Sequence, residues 1–248
     1  MVEITDHQSQ QFRDEGYFIL ERVLPHEVLE SLRRDCSGAI REMNRRIDAG
    51  DPTVSSINHR DQRYFIPFRY EESSVVRTYV FSDLMAAICR ATIGDEAYLF
   101  LDQHVVKAPG GGMRFGWHQD SGYVGFEHTP YLTTWTALDD MDERVGTIHL
   151  LPFSRAGGKE VTGHIREEGS NDMIGYFGDD PGITAAVPAG SVVVFSSLTF
   201  HCSGANQSDR WRRSFLAQYT PAPQRSPEGK LTQRAEPFLR GGQRVARL

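Results

Sequence analysis

The chain has 248 residues, of which 39% are hydrophobic, and its formal net charge is −6. This composition suits a single globular domain with a sizeable core, and the acidic balance argues against a nucleic-acid-binding protein, which would need a net basic face. The three cysteines, Cys36, Cys89 and Cys202, are too few and too far apart for a disulfide framework or a Cys-x-x-Cys zinc site.

The first predicted element is a short helix with a recognisable start. Thr5 and Gln8 have the spacing of a capping box, in which the hydroxyl and the amide satisfy free backbone N–H groups. We expect this helix to end near Glu15, because Gly16 follows. Residues 17–20, Tyr-Phe-Ile-Leu, then predict a short strand.

A longer second helix is expected to follow Pro25, which suits a first helical turn, and to end before Pro52. Residues 55–74 are polar, arginine-rich and irregular, and predict a loop whose arginines either face solvent or bind an anionic substrate. A further short helix is expected at 83–92.

From about residue 97, strand-like runs separated by Gly and Pro turns replace the helical pattern. Strands are predicted at 98–107, 114–118, 131–138, 146–151, 182–187, 191–195 and 212–219. Many short strands with such turns are typical of an antiparallel sandwich or barrel. We therefore predict an α+β fold, a jelly-roll-like double-stranded β-helix with the N-terminal helices packed on it.

The predicted organisation is one domain over residues 1–248. It comprises a helical part at about 1–95, a β core at about 96–220 and a C-terminal tail at 221–248. Two long interruptions, at 55–74 and 163–180, have the length of loops that often act as lids.

The string Trp-His-Gln-Asp at 117–120 carries the first candidate chemistry. If the strand before it continues, His118 and Asp120 point to the same face, because side chains alternate along a strand. A distant histidine, for which His201 after another predicted strand is the candidate, would complete a 2-His-1-carboxylate triad that binds Fe(II) and leaves positions open. The pair alone is a weak signal, since a surface histidine and a turn aspartate give the same string.

Two adjacent arginines on the last predicted strand strengthen this interpretation. A ferrous dioxygenase needs two further electrons to split O₂, and 2-oxoglutarate can supply them by oxidative decarboxylation. Its distal carboxylate requires a fixed cation, for which the arginine fork is well suited. Arg212 is the candidate, Arg213 is the alternative on the opposite face, and Ser203 is a candidate hydroxyl contact or a turn hydroxyl.

Four strings define a wider pattern: FRDEGYFIL at 12–20, WHQD at 117–120, WTALDD at 135–140, and HCSGANQS at 201–208 followed by Arg212. Together they resemble the phytanoyl-CoA dioxygenase family of Fe(II)- and 2-oxoglutarate-dependent oxygenases over about residues 5–220. The resemblance implies His118, Asp120 and His201 as iron ligands, with 2-oxoglutarate as cosubstrate and O₂ as oxidant. Gln103 resembles a position that holds cosubstrate or substrate in some relatives.

Trp135 is a further candidate cosubstrate contact, although core packing is the common role of such a residue. Where the family usually shows Pro-Gly-Ser-His, this chain has Pro-Phe-Ser-Arg at 152–155. That loop lies outside the iron site, but the change and the lack of a phosphate cradle argue against an acyl-CoA substrate. The carboxylate of Asp120 argues against the related halogenases, which carry a small residue there.

The expected function is hydroxylation of a small-molecule substrate, such as a natural-product intermediate or an amino-acid derivative, with release of succinate and CO₂. Two alternatives remain at this point: a metal-dependent barrel enzyme that does not use 2-oxoglutarate, and a metal-free binding module. The sequence does not identify the substrate or the oligomeric state.

The expected location is the cytoplasm. The N-terminus is polar and acidic, unlike a signal peptide, and no apolar stretch reaches the roughly 20 residues of a membrane span. The C-terminal Ala246-Arg247-Leu248 resembles a peroxisomal targeting tripeptide, which would matter only in a eukaryotic host.

Overall fold

The computed structural model describes residues 2–246. Its helices are α1 (Asp6–Glu15), α2 (His26–Asp48), α3 (Arg69–Glu72), α4 (Ser74–Val80), α5 (Asp83–Thr92) and α6 (Phe153–Ala156). Its strands are β1 (Tyr17–Leu20), β2 (Arg63–Pro67), β3 (Ala97–Lys107), β4 (Phe115–His118), β5 (Leu132–Ala137), β6 (Ile148–Leu151), β7 (Ile165–Arg166), β8 (Met173–Ile174), β9 (Ile183–Thr184), β10 (Val192–Ser196), β11 (Phe200–Ser203), β12 (Arg212–Thr220), β13 (Glu236–Arg240) and β14 (Gln243–Arg244).

Two antiparallel sheets form the β core. The larger has the order β1-β10-β5-β12-β3-β13-β14, with β2 also paired to β3, and the smaller has the order β4-β11-β6-β9. A cavity between them is lined by side chains of both sheets. The predicted α+β fold, a jelly-roll core with the N-terminal helices packed on it, is confirmed.

The predicted N-terminal elements form for the expected reasons. The Thr5 side chain accepts a hydrogen bond from the Gln8 N–H while the Gln8 side chain accepts one from the Thr5 N–H, so the capping box is complete. Gly16 ends α1 with a φ of 83°, a left-handed conformation that favours glycine. The chain then enters β1 at the edge of the larger sheet.

Side chains along β3 point alternately into the cavity and toward the helices. Its odd-numbered side chains from Leu101 to Lys107 line the cavity, while Asp102 and His104 lie on the helix side. The His104 Nε2 lies 2.8 Å from an oxygen of Asp35 on α2. His104 is therefore a structural residue and lies outside the cavity.

Several boundaries differ from the sequence-based expectation. The segment 55–74 contains β2 and α3, and the strand predicted at 182–187 shortens to the two residues of β9. The segment 221–248, predicted as a tail, adds β13 and β14 to the larger sheet. These strands are stabilised by pairing with distant parts of the chain, such as β2 and β13 with β3, which local composition does not report.

Two arginines of segment 55–74, Arg63 and Arg69, are largely removed from solvent, whereas Arg60 is exposed. Arg63 is fully buried and makes a bidentate ion pair with Asp172 at 2.8 and 2.9 Å. Arg69 pairs with Asp35 at 3.0 Å, and Arg60 pairs with Asp48 at the surface. A row of arginines in a polar stretch suggests exposure, but here each guanidinium has a carboxylate partner.

The expectation of no membrane span agrees with the helices that the structure describes, none of which is long and apolar enough to cross a bilayer. Of the C-terminal tripeptide considered as a targeting signal, Arg247 and Leu248 lie outside the described residues.

Asp102 supplies a test of this core. Its side chain is fully buried, one oxygen accepts the Tyr70 N–H at 3.1 Å, and the other has no partner among the described residues. Burial raises the pKa of Asp102 to about 7. The folded state therefore binds a proton that the unfolded state releases near pH 4, and stability is lost as pH rises from about 4 through 7.

We predict that Asp102→Asn removes this loss. The difference in unfolding free energy between the variant and the parent chain should increase in favour of the variant by on the order of 2–4 kcal/mol from pH 4 to pH 8. Urea unfolding at both pH values measures the difference. A difference that is the same at pH 4 and pH 8 would contradict the assigned ionisation.

Candidate metal centre

Two neighbouring strands of the smaller sheet bring two histidines together. His118 ends β4 and is the direct cross-strand partner of His201 on β11. Paired residues on antiparallel strands point to the same face, and the two imidazole centroids lie 4.0 Å apart. Both side chains are buried at the cavity wall.

Asp120 reaches the same point by a different route from the one predicted. The strand ends at His118, and Asp120 opens a short 3₁₀ turn, Asp120–Tyr123, so strand alternation does not place it. Its Oδ1 nevertheless lies 3.9 Å from Nε2 of His118 and 3.7 Å from Nε2 of His201. The Ser121 N–H, bonded to the Ser197 carbonyl at 3.0 Å, fixes the turn against the end of β10.

The hydrogen bonds of the two histidines leave their Nε2 lone pairs free. Nδ1 of His118 lies 2.8 Å from the Gly116 carbonyl, and Nδ1 of His201 lies 3.1 Å from the Thr199 carbonyl. Because a carbonyl only accepts, each Nδ1 carries the proton and each Nε2 presents a lone pair. This second contact is the arrangement that orients metal-binding imidazoles.

The carboxylate of Asp120 is oriented in the same way. Its Oδ2 accepts hydrogen bonds from Thr133 Oγ1 at 2.6 Å and from Gln218 Nε2 at 2.9 Å. Oδ1 is left to face the histidines. Thr133 and Gln218 were not identified from the sequence, although both lie at cavity-facing positions of β5 and β12 that alternation could have selected.

Electrostatics favour a cation at this point. Burial, and then the neighbouring His201, hold the pKa of His118 well below its ordinary value, so its imidazole is neutral. Within residues 2–246, His118, Asp120 and His201 are the one group of three or more His, Cys, Asp or Glu side chains whose ligand atoms all lie within 4.8 Å of one another. Two imidazoles and one carboxylate fit a divalent iron with open positions.

The cavity beside the triad has a volume of about 510 Å³, within the range of small-molecule sites. One end of it carries three cationic side chains in a cross-strand row: Lys107 on β3 pairs with Arg63 on β2 and with Arg212 on β12. All three line the cavity and are at most 1% exposed. Arg63 is neutralised by Asp172, but Lys107 and Arg212 contact no carboxylate in the described part of the chain.

Arg212 is held rigidly but without a counter-ion. Its Nε donates to the Gly146 carbonyl at 3.2 Å, one terminal nitrogen donates to the Val105 carbonyl and to Ser214, and the guanidinium lies 5.2 Å from the Trp135 ring centroid. Burial lowers the pKa of Arg212 to about 9, which keeps it protonated at neutral pH. A buried, protonated arginine with no acid beside it is expected to bind an anion.

Gly146 has a backbone φ of 75°, and a side chain there would lie 2.4 Å from the Gly204 carbonyl. Only glycine permits this approach of the two loops, which sets the carbonyl that orients Arg212. Arg213 faces the other way and forms an ion pair with Asp139 at 2.7 Å. The structure therefore places Arg212 in the cavity and Arg213 outside it.

Lys107 extends the cationic end toward β11. Its Nζ donates to Ser203 Oγ at 2.7 Å and to the Gly204 carbonyl. Burial, followed by the charges of Arg212 and Arg63, lowers the pKa of Lys107 well below its ordinary value. Lys107 is paired with Arg212 in the strand register, and both side chains line the cavity.

The remaining predicted contacts divide clearly. Ser203, Gln103 and Trp135 all line the cavity. His149 on β6 is not among the cavity-lining residues, and its Nδ1 lies 3.3 Å from the Thr184 hydroxyl.

Gln119, inside the Trp-His-Gln-Asp string, connects the long loop after α6 to the segment 117–120 that carries His118 and Asp120. Its side chain donates to the carbonyls of Glu160 and Leu198 and accepts the Thr162 N–H at 3.0 Å. Its backbone N–H donates to Nε2 of His164 at 3.0 Å. The loop 160–164 is thereby fixed against the turn that carries Asp120.

Comparison with known proteins identifies the family. Residues 12–214 match the model of the family described as phytanoyl-CoA dioxygenase. A zebrafish (Danio rerio) relative, phytanoyl-CoA dioxygenase domain-containing protein 1, is 23% identical, and the match covers 86% of this chain and 88% of the relative.

Solved structures share the fold at low identity. The 2-oxoglutarate complex of EvdO2 from Micromonospora carbonacea var. aurantiaca has a TM-score of 0.69 at 20% identity and covers 92% of this chain and 96% of its own. The carbocyclase SnoK from nogalamycin biosynthesis has a TM-score of 0.68 at 20% identity, covering 94% and 93%. The epimerase SnoN from the same biosynthesis has a TM-score of 0.66 at 22% identity, covering 88% and 81%.

The orientation of Asp120 can be tested through Gln218. We predict that Gln218→Leu weakens Fe(II) binding about 10-fold, because loss of one hydrogen bond lets the carboxylate rotate while the Thr133 contact remains. Anaerobic Co(II) or Fe(II) titration measures the affinity. Gln207→Leu, an exposed glutamine substitution outside the cavity, is the matched control. Parent-like affinity in a folded Gln218→Leu protein would show that this bond does not support the site.

Proposed function

The chain belongs to the phytanoyl-CoA dioxygenase family of Fe(II)- and 2-oxoglutarate-dependent oxygenases, and we propose that it hydroxylates a small molecule. The observation that carries this proposal is the joint occurrence of two features in one cavity. One is the convergent His118, Asp120 and His201 group, and the other is the buried, unpaired Arg212. The first suits iron and the second suits the distal carboxylate of 2-oxoglutarate.

We assign the iron to Nε2 of His118, Nε2 of His201 and Oδ1 of Asp120. The hydrogen bonds that fix the other nitrogen or oxygen of each residue support this choice. When bound there, Fe(II) supplies the reduction of O₂ that the side chains themselves cannot perform.

We assign the cosubstrate's distal carboxylate to the cationic end of the cavity. Arg212 donates from its guanidinium, Lys107 lies beside it on the neighbouring strand, and Ser203 adds a hydroxyl already bonded to Lys107. The Arg212 guanidinium lies over the Trp135 ring in a cation–π contact. Gln103, whose amide faces the cavity, meets the cosubstrate or the substrate bound next to it.

The overall reaction balances as substrate C–H plus O₂ plus 2-oxoglutarate giving substrate C–OH plus succinate plus CO₂. Cleavage of the bond between the keto carbon of 2-oxoglutarate and its adjacent carboxylate carbon, which leaves as CO₂, supplies two electrons, and oxidation of the C–H bond supplies two more. The side chains bind and orient the reactants and exclude water, since the triad and the cation row are almost fully buried.

Asp120 tests the iron assignment. We predict that Asp120→Ala abolishes succinate formation coupled to oxygen uptake, because the change removes the one anionic ligand of the three and weakens Fe(II) binding. Anaerobic addition of Fe(II) and 2-oxoglutarate should give a weak visible charge-transfer band in the parent chain and none in the variant. Asp209→Ala, at an exposed site outside the cavity, is the matched control. Full turnover in Asp120→Ala would refute the assignment.

Arg212 and Lys107 test the cosubstrate assignment. We predict that Arg212→Leu weakens 2-oxoglutarate binding about 100-fold, corresponding to loss of a charged hydrogen bond of roughly 2–3 kcal/mol. Lys107→Met should weaken it less, about 10-fold, because Arg212 remains. Titration of the anaerobic charge-transfer band measures both values.

The control for these variants is Arg144→Leu, an exposed arginine outside the cavity. Fe(II) affinity measured without cosubstrate should stay within about two-fold in all three variants. If Arg212→Leu bound 2-oxoglutarate normally, the cosubstrate would have to lie elsewhere. A metal enzyme that does not use 2-oxoglutarate, or a metal-free binding module, would give no charge-transfer band in the parent chain.

A further inference from the structure

Every charged side chain that lines the cavity already has a role. Asp120 faces the metal position, Lys107 and Arg212 form the cationic end, and Arg63 is neutralised by its bidentate contact with Asp172. The other basic side chains in the described lining are the two histidines of the triad, His118 and His201. The rest of the described lining offers no unpaired charge to a second molecule.

The rest of the lining is rich in aromatic side chains. Phe65 on β2 and Phe115 on β4 form one pair, with ring centroids 5.6 Å apart. Phe100 on β3 and Tyr131 before β5 form a second pair, with centroids 5.1 Å apart. Tyr123, which is 48% exposed, lines the same cavity. Aromatic walls favour flat or cyclic apolar bodies through stacked and edge-on contacts.

Two neutral polar groups among these walls lack partners. The Tyr131 side chain is 3% exposed, and its hydroxyl makes no hydrogen bond to any residue within 2–246. The half-buried amide of Gln103 also has no intramolecular hydrogen bond in that range. Both residues line the cavity, where the oxygen of a ligand could accept a hydrogen bond from each of these groups.

We propose that this part of the cavity binds an uncharged, ring-containing small molecule whose oxygen substituents meet Tyr131 and Gln103. The proposal rests on the proposed function insofar as this molecule is the one hydroxylated beside the iron. A charged substituent in the same place would lose its hydration without gaining a counter-ion. Amino acids, acyl-CoA thioesters and other ionic molecules are therefore disfavoured.

The test compares three probes that share one ring system and differ in charge. They are 2-naphthalenemethanol, 2-naphthoate and 2-naphthylmethylammonium. Each is titrated anaerobically into the chain loaded with Fe(II) and 2-oxoglutarate, which occupy the metal and cationic end, and binding is followed by calorimetry. The neutral alcohol is expected to bind at least 10-fold more tightly than either ion. A charged probe that binds as tightly as the alcohol overturns the proposal.

Substitutions then locate the probe. Tyr131→Phe and Gln103→Leu should each weaken 2-naphthalenemethanol binding about 5- to 10-fold, and Phe65→Ala about 10-fold. Phe177→Ala, a 68% exposed phenylalanine outside the cavity, is the matched control and should have no effect. If Gln103→Leu weakens 2-oxoglutarate binding and leaves probe binding unchanged, Gln103 belongs to the cosubstrate and its part of the proposal is overturned.

The same titrations separate this inference from the proposed function. Absence of the charge-transfer band, with the neutral probe still preferred, refutes the proposed function and supports the uncharged site. A normal band with a charged probe preferred overturns the uncharged site alone.

Discussion

The direct pairing of β4 with β11 is the constraint on which the site depends. It sets His118 opposite His201, so that two imidazoles share one face of the smaller sheet. Their Nδ1 atoms are occupied by backbone carbonyls, and both lone pairs converge on the same small volume. Asp120, turned inward just after β4 and held by Thr133 and Gln218 of the larger sheet, closes the group. Contacts from both sheets are thus needed to present three ligand atoms together.

The second constraint is the burial of three basic side chains in one row across β2, β3 and β12. Burying an ion without a partner is unfavourable by several kcal/mol, and the protein compensates one of the three with Asp172. Arg63, the residue paired with Asp172, also donates to the carbonyls of Arg114 and Ser170. It therefore connects the start of β4 to the loop between β7 and β8. Lys107 and Arg212 contact no carboxylate in the described part of the chain, and the proposed binding of an anionic cosubstrate would supply one.

The division of charge along the cavity supports the proposal that two different molecules bind there side by side. An anionic molecule matches the end at Lys107 and Arg212, and an uncharged one matches the aromatic walls around Tyr131. Gln119 and Arg63 fix the two ends of the intervening loop, through Glu160 and Thr162 at one end and Asp172 at the other. The loop is therefore attached both to the segment 117–120 and to Arg63, and these contacts hold one wall of the cavity in place.

The sequence by itself determined the α+β jelly-roll fold, the capped first helix, the family, and the cofactor class, because these depend on local strings and on the order of short strands. It also singled out His118, Asp120, His201 and Arg212, whose roles remain to be tested. It placed Asp120 on a strand that in fact ends at His118, and it took the segment of β2 for a loop. Only the tertiary structure decided that Arg212 and not Arg213 faces the cavity, that Lys107 joins it, and that Thr133 and Gln218 hold Asp120. These choices depend on strand register and on the partners that residues far apart in the chain provide, and neither is encoded in any local string.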